Sequence, residues 1–79
     1  MFTVYVLRSL VNQRLYIGQT NDLNRRLSDH NNGHSNYTKF TRPFRLIYQE
    51  DFFTRKEAVN REIELKSGKG REWLKVMFG

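Results

Sequence analysis

A chain of 79 residues has room for one domain with a modest core. Fourteen Lys and Arg against eight Asp and Glu leave a formal net charge of +6, a field that attracts polyanions, of which nucleic acid is the commonest. The absence of cysteine excludes disulfides, thiolate zinc sites and thiol nucleophiles, and no apolar run approaches the roughly 20 residues needed to cross a bilayer. The start, Met-Phe-Thr-Val-Tyr-Val, lacks the layout of a signal peptide, so a cytoplasmic protein with no membrane partner is expected.

Phe2 to Leu7 is rich in β-branched and aromatic residues and predicts a strand. Ser9 to Gln13 turns the chain, and Arg14 to Gln19 returns it as a second strand of a hairpin. A symmetric hairpin centred between Leu10 and Val11 would put Tyr5 opposite Tyr16, with Val4 and Val6 opposite Ile17 and Leu15. One face would be an apolar core and the other would carry a tyrosine pair. Thr20 or Asn21 is positioned to cap a helix from about Asp22 to Asn31, which Asn31-Asn32-Gly33 ends. Asn32 to Pro43 is a polar, basic loop. Phe44 to Phe52 is a third strand in which Phe44, Leu46 and Tyr48 alternate with Arg45, Ile47 and Gln49. Thr54 followed by Glu57 makes a capping box, so a second helix starts there and reaches about Ser67. Gly68 and Gly70 separate it from a short helical segment, Arg71 to Phe78. The order β-β-α-β-α with a short C-terminal helix predicts an α+β fold: a small, mainly antiparallel three-stranded sheet flanked by helices, in a single domain over 1–79.

Certain polar residues break this pattern. At about 100° per residue, Ala58, Val59, Ile63 and Leu65 share one arc of the second helix, and Glu62 falls inside it. A carboxylate there is costly unless paired, hydrogen-bonded or metal-bound. Two readings stand: an intrahelical Glu62–Lys66 pair, or a metal carboxylate on the floor of a cleft. On the first helix Leu23 and Leu27 mark the buried stripe. Arg26 and His30 lie along its edge and Arg25 on the opposite side, so Arg26 is the arginine turned inward. Snorkelling of Arg26 and a satisfied boundary role for His30 are the bland alternative. Tyr5 and Tyr16 are either sheet aromatics or a functional pair. Gly18, two residues after Tyr16 on the same face, would leave the surface beside that phenol open. His30 and His34 have ligand spacing but lack a third partner.

Taken together, these residues resemble the GIY-YIG nuclease superfamily over roughly residues 2–67. The second of the two strand motifs that name the family stands intact as Tyr16-Ile17-Gly18. The first stands as Thr3-Val4-Tyr5, with Thr for the usual Gly. The segment 16–31 resembles the family's strand, turn and first helix. The resemblance implies a helix arginine at Arg26, a helix Tyr or His at His30, and a metal-binding glutamate at Glu62; Gln19 stands where some members place a lysine. It further implies catalytic roles for Tyr5, Tyr16, Arg26, His30 and Glu62, a Mg²⁺ or Mn²⁺ cofactor on Glu62, and hydrolysis of nucleic-acid phosphodiesters. DNA is expected ahead of RNA, with weakly specific or structure-directed cutting in repair or recombination and a protein partner as a source of specificity. Tyr37, Lys39, Arg42 and Lys66 are expected to contact the nucleic-acid backbone or stack on a base. The alternative is a module of the same fold that binds nucleic acid without cutting it.

Overall fold

The computed structural model describes residues 1–33 and 39–79. Strands β1 (Phe2–Ser9) and β2 (Leu15–Thr20) are followed by helix α1 (Leu23–Asn31), strand β3 (Phe44–Phe52) and helices α2 (Arg55–Lys66) and α3 (Gly68–Phe78). The three strands form one antiparallel sheet in the order β2-β1-β3, so the expected α+β architecture holds. The central position of β1 explains its sequence. Val4, Val6 and Ile17 form one apolar cluster with Ala58, Leu65 and Leu74 from α2 and α3, while Tyr5, Leu7 and Phe44 form a second against Leu23 and Leu27 of α1. A strand covered on both faces is apolar continuously rather than alternately, and Val4 to Leu7 are all buried.

The hairpin register differs from the symmetric expectation. Tyr5 pairs with Gly18, Val6 with Ile17 and Leu7 with Tyr16, a shift of two residues. The turn decides this. Ser9 Oγ accepts from the amides of Val11 and Asn12, and Gln13 takes a positive φ of 65°. These contacts centre the hairpin one residue later than symmetry suggests. Because the slip is even, every side chain keeps its face.

Strand β3 departs too. A register shift opposite Val6 and Leu7 pairs Leu46 with Leu7 but Tyr48 with Val6. This bulge puts Phe44 and Leu46 on the α1 face and turns Ile47, Tyr48 and Phe52 to the other. The expected simple alternation through Tyr48 is therefore broken at Ile47.

The helix ends follow their local chemistry. Asp22, rather than Thr20 or Asn21, caps α1 by accepting from the Arg25 amide, while Thr20 Oγ1 accepts from the Asp22 amide. Thr54 caps α2 by accepting from the Glu57 amide, the bond the capping-box spacing predicts, and its hydroxyl donates to the Glu57 carboxylate. Ser67 ends α2 and caps α3. Gly68 and Gly70 thus lie inside α3 instead of separating it from α2. A Cβ on Gly70 would stand 2.2 Å from the Glu64 carbonyl oxygen and 2.5 Å from Leu65 Cα, so only glycine lets the two helices meet this closely. In α2 only Ala58 and Leu65 are buried, with Val59, Arg61 and Glu62 half-buried around them, so the inward face is narrower than expected but does include Glu62. Ile63, expected inward, is 63% exposed.

Candidate active site

The site is organised around the phenol of Tyr5. The even slip of the hairpin sets this ring against Gly18, where an added Cβ would lie 2.4 Å from Tyr5 Oη and 2.6 Å from Cζ. The glycine of the second motif therefore makes room for a tyrosine from the neighbouring strand. It does not leave the surface beside Tyr16 open, as the sequence suggested.

From α1, His30 enters the same core and is completely buried. Its Nε2 lies 3.3 Å from Tyr5 Oη. Its ring meets the Tyr16 ring edge-on at 4.8 Å between centroids and stands 5.9 Å from Phe44. The end of α1 is tied to β3 by Asn31, whose Oδ1 accepts from the Phe44 amide at 2.6 Å and whose Nδ2 donates to the Phe44 carbonyl. This clamp fixes the helix that carries His30 and Arg26.

The Arg26 guanidinium lies near enough to the Tyr5 phenol to hold its pKa down against burial, and the phenol in turn raises that of Arg26. Arg26 is half-buried while Arg25 is exposed, as periodicity expected. Burial raises the Tyr5 pKa, opposed by Arg26, and the charges of Tyr16 and Glu62 raise it further. Burial is also the main reason the His30 pKa is lowered, with the Arg26 charge second and Asp29 opposing. Both shifts favour a protonated phenol that donates to a neutral imidazole 3.3 Å away. Tyr5 is only 1% exposed, so it holds its neighbours in place from within. Tyr16 is the accessible tyrosine: it lines a groove of about 560 Å³ along the outer edge of β2, together with Arg14, Lys66 and Arg71.

Glu62 projects from α2, which covers the opposite face of the sheet. Its charge is the weakest of the influences on the Tyr5 phenol, and it reaches the Tyr16 groove through Lys66, which lines it. The Glu62–Lys66 pair also forms: Lys66 Nζ donates to Glu62 Oε2 at 2.6 Å, and the Glu62 side chain keeps 20% of its exposure. Among the described residues, no three His, Cys, Asp or Glu side chains gather at one point. A cation here would therefore take one protein carboxylate, with water and substrate oxygens completing its shell. That donor set suits a hydrated hard ion such as Mg²⁺. Gln19 carries a buried Oε1 that finds no hydrogen-bond partner among the described residues. Paired with Val4, it faces the α2 side of the sheet and offers a further oxygen on the side that carries Glu62.

The remaining expected contacts are more scattered. Lys39 Nζ lies over the Phe40 ring at 4.9 Å. The Arg42 guanidinium rests against Gly33, whose φ of +77° closes α1 and whose missing Cβ leaves space for it. Tyr37 and His34 fall outside the described residues. Arg14 and Arg71 line the Tyr16 groove although neither drew attention in the sequence. Arg71 carried no local signal, since only the return of α3 brings it there.

The family model for the GIY-YIG catalytic domain matches residues 1–75. The UPF0213 protein of Staphylococcus saprophyticus is 44% identical over 64 residues, covering 80% of this chain and 78% of that one. A UPF0213 protein of Staphylococcus aureus is 41% identical over the same shares. The solution NMR structure of the UPF0213 protein of Bacillus halodurans superposes with a TM-score of 0.59 at 34% identity, covering all of this chain and 87% of that one. With Tyr5 and Tyr16 on adjacent strands, Gly18 between them and Arg26 on the following helix, the chain belongs to the GIY-YIG family and shares its fold with these UPF0213 proteins.

Proposed function

We propose that this protein is an endonuclease that hydrolyses nucleic-acid phosphodiester bonds with a divalent metal ion, DNA being the expected substrate. The observation that carries the reading is the packing of Tyr5, Tyr16 and His30 on one another beside an open groove that Tyr16 lines together with Lys66, the partner of Glu62. Membership of a family described by its catalytic domain supports it. No described helix is long and apolar enough to cross a membrane.

In this reading, Glu62 holds the cation, which, as Mg²⁺ or Mn²⁺, supplies positive charge to the phosphate and the leaving oxygen. Arg26 binds a non-bridging phosphate oxygen and offsets the charge that develops there. Tyr16 contacts the attacking water from the groove and orients it or takes its proton. Water adds to phosphorus and gives up a proton to Tyr16 or to solvent, the ester P–O bond breaks, and the departing oxygen takes a proton from solvent. Tyr5 and His30 are positioning residues. Buried and hydrogen-bonded to each other, they lock the Tyr16 ring and the Arg26 fork in place before substrate arrives. Lys66 neutralises Glu62 in the free protein and, lining the Tyr16 groove, would be free to contact a phosphate oxygen if Glu62 held a cation.

Nicking of supercoiled DNA, with and without Mn²⁺, tests this directly. Glu62→Ala should abolish metal-dependent cleavage with DNA affinity little changed. Arg26→Ala should slow cleavage by a factor on the order of 10² to 10³, with an intact fold by circular dichroism. Wild-type rates in both variants would remove these assignments. Tight DNA binding by the wild type without any turnover would instead favour the non-catalytic module.

A further inference from the structure

The groove beside Tyr16 has a property that catalysis at a single phosphate does not use. Its charged lining is Arg14, Lys66 and Arg71, with no carboxylate, while Leu15, Ile17 and Leu74 supply an apolar floor. A second hollow of about 340 Å³ adjoins it through the shared residues Leu15 and Arg71, and adds Arg8 and Lys75. Cations therefore continue along the outer edge of the sheet from Tyr16 towards α3. Arg71 is preorganised, because its Nε donates to the Lys66 carbonyl at 3.0 Å and directs the fork from the α2–α3 junction. Arg14 forms no ion pair among the described residues. Among the described residues β2 pairs with β1 alone, which leaves its outer edge beside the groove. Cationic forks along an open strand edge with an apolar floor match a phosphodiester backbone with its sugars or bases laid beneath it.

We propose that the nucleic-acid strand runs along this β2-edge groove, with Arg14 and Arg71 gripping phosphates that flank the reacting one. This rests on the reading of Tyr16 as a group at the reacting phosphate. It moves the principal backbone contact away from the loop of Lys39 and Arg42, whose cations already lie against Phe40 and Gly33.

The test is fluorescence anisotropy in chelator, so that nothing is cut, using a short labelled DNA duplex and an RNA strand across a salt series. Arg14→Ala and Arg71→Ala should each reduce the steepness of log K against log salt, by about 0.9 on the duplex or about 0.7 on the single strand. The double variant should lose the sum, and the polymer that shows the loss identifies the backbone read. Lys56→Ala, which removes an exposed charge at the start of α2 outside these hollows, should change nothing. Should removal of the Arg71–Lys66 contact unfold α3, Arg14→Ala carries the test alone. An unchanged slope for Arg14→Ala, or an equal loss for Lys56→Ala, overturns the groove as the track. Failure of the nuclease reading looks different: the wild type would bind with the expected slopes and release no nicked product in Mn²⁺.

Discussion

Gly18 shows how one absent side chain organises a site. The space its Cβ would occupy is filled by the end of the Tyr5 ring, which is itself buried between α1 and the sheet and cannot swing away. Gly18→Ala should destabilise the protein by about 1–3 kcal/mol, as overpacking does, and slow cleavage by pushing the phenol off His30. Urea unfolding alongside nicking assays checks both effects, and an alanine variant as stable and active as the wild type would show that the ring has another place to go. His30 supplies a pH signature. Its folded pKa lies below the unfolded value near 6.5, so between those two values the unfolded chain binds more protons than the folded one. Its contribution to stability is therefore complete above about pH 6.5 and is lost as pH falls through the folded value. Unfolding free energy measured from pH 8 to pH 5 should decline more steeply for the wild type than for His30→Asn. Parallel curves would place the titration elsewhere.

At the scale of elements, α2 is where two demands meet. Its stripe must pack on the sheet and α3 while carrying the Glu62–Lys66 pair, whose lysine lines the groove beside β2. The inward positions show the compromise: Ala58 and Leu65 are buried, whereas Arg61 is half-buried, paired with Glu50 at 2.9 Å and stacked over Trp73 at 5.6 Å. The α2–α3 contact depends on Gly70, and the two glycines of α3 should respond with opposite signs. Gly70→Ala drives a methyl into the α2 backbone and should cost about 1–3 kcal/mol. Gly68→Ala meets open space and should be neutral or stabilising by up to about 1 kcal/mol. Denaturant midpoints of the two variants settle the contrast. Equal effects would mean that α3 does not sit against α2 as described.

For the whole molecule, the net charge of +6 is a long-range property that acts before any contact forms. It should speed encounter with nucleic acid and leave the bond-breaking step alone. Raising ionic strength from about 50 to 200 mM, across which a screened polyanion interaction weakens steeply, should lower kcat/KM much more than kcat. Stopped-flow association together with saturating-substrate rates separates the two. An equal fall in both would place the salt-sensitive step after binding.

Much of this arrangement was legible in the chain itself. β-branched and aromatic runs marked the strands, Thr54 with Glu57 marked the start of α2, and helical spacing turned Arg26 inward in preference to Arg25. These features depend on neighbours a few residues away, which the sequence carries directly. The two-residue slip of the hairpin, the bulge at Ile47, the exposure of Ile63 and the nesting of Gly70 against α2 were not legible. Neither was the meeting of Arg14 and Arg71 beside Tyr16. Each is decided by which surfaces pack together: Ser9 and Gln13 choose among registers with the same facing pattern, and the return of α3 selects the face of α2 that is buried. Local chemistry determined the elements and the residue types of the site, while packing between distant segments decided which of those residues share a groove.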